Sequence, residues 1–245
     1  MTTTGIIDLP QVTWRPLNKA QPEIWPVAFI GHTAVSSAKS LWAYFGSPAA
    51  GGKEAHLYVA PDGSAEQYMP VTQRADANGT ANRWFDATAG RFVGAVSAET
   101  WDGGNPATPW TPQQIDTLAD IALWLHNHFA MPLDVCPTPQ SPGLGWHSMW
   151  RAPNPWSPAG HTCPGPTRIG QFRNELLPLI YRRSIGDITT MAATPVLDIV
   201  AYVRGSYAAA HLTDDKGVRY WVLTAAAADN PAQVLHEMDR QLGIA

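Results

Sequence analysis

The chain has 245 residues, of which 45% are apolar and 15% are charged, and its formal net charge is -4. This length allows one medium-sized domain and a second, small one. The composition argues against two classes of protein, because a nucleic-acid binder would carry a basic stripe and a membrane-spanning helix would need an apolar run of about 18 residues or more.

The first predicted element is a buried strand. Residues 27–30 form the apolar run VAFI, which ends at Gly31, His32 and Thr33. The pattern therefore predicts a polar cluster at the end of this strand. Ser36 and the residues after it predict a short helix with a serine cap.

A hairpin and another strand follow. Residues 55–60 and 64–69 flank a Pro-Asp-Gly turn, an arrangement that is typical of two strands joined by a tight turn. Residues 92–99, with the sequence FVGAVSAE, predict a further strand that ends at Glu99.

Two helices are predicted in the second half of the chain. Thr111, Pro112 and Gln114 fit a capping box with proline at the first helical position, and apolar residues at helical spacing continue to Phe129. Thr167 is predicted to cap a second helix. Strands and helices interleave without strict alternation, which predicts a mixed α/β fold with a central mixed sheet flanked by helices.

The segment between these two helices is rich in proline. Residues 132–166 contain nine of the 22 prolines, so this stretch is not expected to form a regular helix or a central strand. A long segment of this kind beside candidate ligands is typical of a functional loop.

A second, smaller domain is predicted at the C-terminal end. Residues 1–183 form the first domain, and residues 184–195 have the composition of a linker. Three strand patterns and a closing helix then predict a small β-β-β-α module over residues 196–245. The strand patterns cover residues 196–203, 207–212 and 218–224.

Histidine and cysteine residues near strand ends and loops are the candidates for metal binding. His32 follows a strand, His147 lies in the proline-rich segment, and His161 and Cys163 precede a predicted helix. A catalytic zinc ion takes three protein ligands and leaves one position open, and two imidazoles with one thiolate meet that need. Local spacing leaves the choice of ligands open, and Cys163 could instead pair with Cys136 or stay a buried thiol.

Four motifs occur in an order that resembles a known family. GHTA, HLYVAPDGSAEQ, SAETWDGG and the pair GWHS and GHTCPGP are similar to the type-2 N-acetylmuramoyl-L-alanine amidases, which include phage endolysins and peptidoglycan recognition proteins. The resemblance covers roughly residues 25–181, and the H-x-C-P-G ending is its most specific part. It implies a mixed sheet with flanking helices and one catalytic Zn2+.

The resemblance also implies roles for individual residues. It assigns His32, His147 and Cys163 as zinc ligands and His161 as a catalytic residue; the alternative is that His161, and not His147, binds zinc together with Cys163. Glu99 resembles a family glutamate and is the second expected catalytic residue, because a carboxylate near a zinc-bound water can take its proton.

The implied activity is hydrolysis of the amide bond between N-acetylmuramic acid and the L-alanine of the stem peptide, with peptidoglycan as the partner. A non-catalytic peptidoglycan-binding protein is the alternative. The first residues lack the features of a secretory signal, so we expect an endolysin made in the host cytoplasm that reaches the wall after holin-mediated release. Residues 196–245 are expected either to bind the wall or to extend the catalytic domain.

Overall fold

The computed structural model describes residues 5–150 and 162–184, apart from the side chains of residues 80 and 81, and the backbone of residues 202–204, 207–213 and 219–223. The chain divides into two compact units, Met1–Gly186 and Asp187–Ala245. His161, residues 185–195 and the predicted closing helix lie outside the described residues. No helix in the described part of the chain combines the length and the hydropathy needed to cross a membrane.

A seven-stranded mixed sheet forms the centre of the first unit. Its strands are β1 (Val12–Trp14), β2 (Trp25–Gly31), β3 (Leu57–Val59), β4 (Ala65–Gln67), β5 (Arg83–Asp86), β6 (Arg91–Thr100) and β7 (Gly143–Trp146). The spatial order is β1-β4-β3-β6-β2-β7, and β5 also pairs with β6. The β3–β4 and β5–β6 pairs are antiparallel, whereas the other pairs are parallel.

Helices cover this sheet and complete the apolar core. They are α1 (Trp42–Phe45), α2 (Pro112–Phe129), α3 (Pro166–Gln171), a π-helical segment (Phe172–Leu176) and α4 (Leu177–Ser184). Leu118 and Leu125 of α2 lie in one buried cluster with Phe29 of β2, Val96 of β6 and Ile180 of α4. The prediction of a mixed sheet flanked by helices is confirmed.

The predicted capping box of α2 is confirmed in both directions. The Thr111 hydroxyl oxygen accepts from the Gln114 N–H at 3.1 Å, and the Gln114 side-chain oxygen accepts from the Thr111 N–H at 3.0 Å. The same hydroxyl donates to the Pro61 carbonyl at 2.7 Å. Thr111 thus joins the start of α2 to the turn of the β3–β4 hairpin.

The Thr111→Ala variant is expected to lower the free energy of unfolding by about 1–2 kcal/mol, because it removes a helix cap and a hydrogen bond to Pro61. Urea denaturation followed by circular dichroism measures the change. Thr111→Ser keeps the hydroxyl and should retain most of the stability. Equal midpoints for Thr111→Ala and the unaltered protein would contradict this account.

Two predictions about helix starts are wrong. The helix expected from Ser36 begins only at Trp42, because the Asp102 carboxylate accepts the N–H groups of Val35 and Ser36 at 2.9 Å. Val35 also has a φ of 48°, which interrupts helical geometry.

The cap predicted for α3 at Thr167 is likewise wrong. The N-cap residue is Gly165, and Pro166 occupies the first helical position. A proline suits that position because it has no N–H to satisfy and its φ is already helical.

The proline-rich segment is not wholly irregular. Residues 143–146 form β7, which pairs in parallel with β2, and a short 3-10 helix (His147–Trp150) follows at once. Both elements lie in the stretch between Pro142 and Pro153, where the sequence has no proline. β7 lies at the edge of the sheet.

The second unit contains a three-stranded antiparallel sheet. Its strands are β8 (Tyr202–Arg204), β9 (Tyr207–Thr213) and β10 (Arg219–Leu223), in the order β10-β9-β8. Three strands were expected here, and all three occur within the ranges that the sequence predicts or within one residue of them. Of the first predicted strand, residues 196–201 lie outside the described part.

Candidate active site

The candidate site residues lie at the carboxyl ends of three neighbouring parallel strands. β2 lies between β6 and β7, and both pairings are parallel. His32 directly follows β2, His147 directly follows β7, and Glu99 is the second-to-last residue of β6. Sites in parallel sheets commonly form at the carboxyl ends of the strands.

Backbone hydrogen bonds fix the position of His32. Its N–H donates to the Ala98 carbonyl at 2.9 Å, so the residue continues the pairing of β2 with β6. Its carbonyl accepts from the Thr100 hydroxyl at 2.6 Å. Only 1% of His32 is exposed, so the surrounding core holds the ring at the carboxyl end of β2.

The turn that carries Cys163 contacts the segments of both histidines. The Ser148 N–H, next to His147, donates to the Cys163 carbonyl at 2.8 Å. The Thr33 N–H, next to His32, donates to the Cys163 Sγ at 3.2 Å. These two hydrogen bonds bring the thiol to the histidines from a distant part of the sequence.

The side chains of His32, His147 and Cys163 converge at one point. One ligand atom from each lies within 4.8 Å of the others, and the two imidazole centroids are 4.4 Å apart. Ligand atoms around a tetrahedral zinc ion lie about 3.4 Å apart, given zinc–ligand bonds of about 2.0–2.3 Å. The set is therefore within reach of zinc coordination by a small adjustment.

Glu99 lies beside this cluster. Its Oε1 is 3.7 Å from the Nδ1 of His32, and its Oε2 is buried without a hydrogen-bond partner among the described residues. Burial, reinforced by the negative charge of Asp102, raises the pKa of Glu99 to about 8. Among the described residues no partner satisfies the Glu99 Oε2, so its position beside the three clustered side chains suits a proton acceptor.

These residues fit a zinc ion by the chemistry of their donor atoms. Two imidazoles and one sulfur are ligands that zinc prefers, and three protein ligands leave a coordination position open. Burial, followed by the charge of Glu99, raises the pKa of the Cys163 thiol. The thiolate would form at this site when a cation binds, because a coordinating thiol loses its proton.

The two cysteines are not joined. Both are free, and the Cys136 thiol is buried and donates to the Ser141 carbonyl at 3.2 Å. The disulfide that the sequence left open is therefore absent, and Cys163 is available as a ligand.

Sequence reasoning missed the role of Asp102, although the WDGG motif contains it. Its carboxylate accepts from the Thr33 hydroxyl at 2.7 Å and from the N–H groups of Val35, Ser36 and Gly104, each at 2.9 Å. Asp102 thus shapes the loop that follows His32. An aspartate directly before two glycines after a strand was the available signal, since aspartate commonly accepts N–H groups in turns.

His56, which directly precedes β3, differs from His32 and His147 in its surroundings. His56 is fully buried: its Nδ1 accepts from the Ser97 N–H at 3.0 Å, and its Nε2 lies 2.7 Å from the Gln73 carbonyl. Both ring nitrogens are thus engaged, which makes His56 a structural residue. The expected catalytic role of His161 stays a prediction, because that residue lies outside the described part.

Comparison with protein families provides an independent result. A family model described as N-acetylmuramoyl-L-alanine amidase matches residues 22–166, more than half of the chain. The chain belongs to the N-acetylmuramoyl-L-alanine amidase family. The match in this family begins before β2 and ends just after Cys163, so it includes His32, Glu99 and His147.

Several solved structures are similar to this family member. The amidase endolysin LysCS from Clostridium intestinale is 17% identical with a TM-score of 0.45, over 67% of this chain and 93% of that one. The Staphylococcus aureus hydrolase AmiA is 12% identical with a TM-score of 0.47, over 74% and 87% of the two chains. AmpD from Citrobacter freundii is 18% identical with a TM-score of 0.42, over 71% and 96%. A comparison with curated proteins gave no match.

Proposed function

We propose that this protein is a zinc-dependent amidase that cleaves the bond between N-acetylmuramic acid and L-alanine in peptidoglycan. The observation that carries the proposal is the convergence of His32, His147 and Cys163 within 4.8 Å at the sheet edge where Glu99 also lies. Family membership supports the reaction, and the donor set supports the metal.

Zinc supplies two things when it is bound to such a set: it lowers the pKa of a coordinated water to about 7, and it polarises a carbonyl oxygen. His32, His147 and Cys163 would hold the ion. The hydrogen bonds of Ser148 and Thr33 to Cys163 keep these ligands together and so orient the open position.

Glu99 has the position and the environment of a general base. Its buried Oε2 would accept the proton of the attacking water and return it to the leaving amine of L-alanine. A pKa of about 8 would keep the carboxyl largely protonated at neutral pH, and a cation beside it would lower that pKa. Burial and a neighbouring cation would thus shift the pKa of Glu99 in opposite directions, which favours proton exchange near neutral pH.

Chelation tests the metal requirement directly. Removal of zinc with phenanthroline is expected to abolish release of stem peptides with a free N-terminal L-alanine from purified cell walls, and added zinc should restore it. Mass spectrometry of the digest and metal analysis of the same sample provide the measurement. Full activity of the metal-free protein would overturn the proposal, and wall binding without any release would indicate a non-catalytic recognition protein.

The biological setting is part of the same proposal. We infer an endolysin that is made in a host cell and reaches the wall after holin-mediated release, and this rests on the resemblance of the sequence motifs. Wall binding by residues 196–245 likewise stays a prediction; a chain ending at Arg183 that pellets with walls as well as the full chain would argue against it.

A further inference from the structure

Arg168 is a charged side chain buried deep beside the candidate zinc site. It lies in α3, five positions after Cys163, and its exposed fraction is 0%. A guanidinium removed from water destabilises the fold unless its N–H groups are satisfied. The partners of Arg168 therefore indicate which parts of the structure it holds together.

The guanidinium contacts the residue that follows His32 and a residue of β6 that is hydrogen-bonded to His32. It donates from Nη1 to the Thr33 hydroxyl and to the Thr100 hydroxyl, each at 2.7 Å. The Thr100 hydroxyl in turn donates to the His32 carbonyl at 2.6 Å. Arg168 thus acts on the residue after His32 directly and on His32 itself through Thr100.

Two more hydrogen bonds anchor Arg168 to the neighbouring loop. Its Nη2 donates to the Trp101 carbonyl and its Nε donates to the Thr108 carbonyl, each at 2.8 Å. The planar fork of an arginine fixes direction as well as distance when several of its N–H groups are engaged. The guanidinium is therefore held rigidly between α3 and the end of β6.

Thr33 connects the hydrogen bonds of Arg168 to the proposed zinc ligands. Its N–H donates to the Cys163 Sγ at 3.2 Å, and its hydroxyl donates to Asp102 at 2.7 Å while accepting from Arg168. One residue next to His32 therefore contacts the thiol, the buried cation and a buried carboxylate. Arg168 reaches the charge of Asp102 through this hydroxyl.

We propose that Arg168 and Thr33 are positioning residues that set the separation of His32 and Cys163 for metal binding. The helix carrying Arg168 follows the turn of Cys163, and its guanidinium holds the strand end that carries His32. The proposal deepens the proposed function and rests on it, because it concerns the same zinc site. Residues that orient metal ligands from outside the coordination sphere typically change affinity about 10–100-fold when they are replaced.

The test compares zinc affinity among matched threonine variants of the full chain. Thr33→Val removes the hydroxyl and keeps the branched shape, whereas Thr33→Ser retains the hydroxyl. Thr117→Val is the control, because Thr117 is similarly buried and its hydroxyl donates to the Gly63 carbonyl at 2.6 Å, in a bond to the β3–β4 turn. Competition with a chromophoric chelator measures the Kd for zinc, and the absorption of the Co2+-loaded protein reports ligand geometry.

The expected result is a zinc Kd raised at least about 10-fold by Thr33→Val, with an altered sulfur-to-cobalt absorption band. Thr33→Ser and Thr117→Val should stay within about threefold of the unaltered protein, given that neither removes a group that orients a ligand. Arg168→Lys keeps the positive charge and loses the planar guanidinium, so its zinc Kd should change as in Thr33→Val. If Thr33→Val does not fold, Arg168→Lys provides the comparison.

Two outcomes overturn the inference, and they differ from failure of the proposed function. Unchanged zinc affinity and an unchanged cobalt spectrum in Thr33→Val and Arg168→Lys would remove the positioning role while the zinc site stands. An equal loss in Thr117→Val would assign the effect to general destabilisation. If the unaltered protein itself binds no zinc, the proposed function fails as well.

Discussion

The His32→Ala and Cys163→Ala variants are expected to lose bound zinc and to hydrolyse peptidoglycan at least about 10³-fold more slowly. A metal ion supplies several kcal/mol of transition-state stabilisation, and about 4 kcal/mol corresponds to roughly 10³-fold in rate. Each variant removes one of the three proposed zinc ligands. Metal analysis and the rate of L-alanine release from cell walls measure the two effects on one sample.

The second cysteine provides a matched control. Cys136 is also a free, buried thiol, and its Sγ donates to the Ser141 carbonyl without joining the ligand cluster. Cys136→Ala is therefore expected to keep a full complement of zinc and nearly full activity. Loss of zinc in Cys136→Ala together with its retention in Cys163→Ala would refute the ligand assignment.

The Glu99→Gln variant is expected to bind zinc normally and to lose activity by about 10²–10⁴-fold, the usual contribution of a general acid–base residue. The amide has the same shape as the carboxyl and cannot accept the proton of a water. The loss should fall on kcat, measured with a soluble muramyl peptide. This separates Glu99 from the proposed ligands, whose replacement is expected to remove the metal.

A second glutamate beside the same strand serves as the control. Tyr58 of β3 is paired with Glu99 on one side and with Glu66 on the other. Glu66 accepts hydrogen bonds from Arg15 and Tyr68, each at 2.7 Å. It is not part of the group formed by His32, His147 and Cys163. Glu66→Gln should keep kcat within about threefold, since it takes no part in proton transfer.

The dependence of stability on pH provides a separate test of the raised pKa of Glu99. A folded-state pKa of about 8, against 4.5 for an ordinary glutamate, means that the folded protein binds more protons than the unfolded chain. The free energy of unfolding of the metal-free protein should therefore fall as the pH rises from about 4.5 to about 8. Glu99→Gln should lose less stability over this range, and an identical pH dependence of Tm would contradict the raised pKa.

Local signals in the sequence predict much of the fold. The capping box at Thr111, the hairpin around Pro61 and the apolar runs of β2 and β6 are each short patterns with one physical cause. His32 and Glu99 follow from these, because both lie where a predicted strand ends. Such features could be read without knowing what the strands pack against.

Local sequence patterns could not predict β7. Two of its four residues are glycines, which have a low preference for strands. Gly143 is required by its φ of 125° and by a backbone contact, since a Cβ there would lie 2.4 Å from the Asp134 carbonyl oxygen. The strand exists because it pairs with β2, and the assignment of His147 as a ligand depended on the resemblance to a family.

The hydrogen bonds around Arg168 could not be predicted from the sequence either. Arg168 and Thr33 are 135 positions apart, and an arginine in the first turn of a helix ordinarily stays exposed to solvent. Nothing in the local pattern distinguishes a buried arginine from a surface one. Its burial results from how α3 packs against the strand ends.

The long separation between the ligand segments has a consequence for biosynthesis. Thr33 and Cys163 are 130 positions apart, so the ribosome makes the His32 segment long before it makes the thiol. Nascent chains that end between residues 147 and 163 carry both histidines and still lack Cys163, the third proposed ligand. The proposed metal site can therefore be completed only when translation of the first unit is nearly finished.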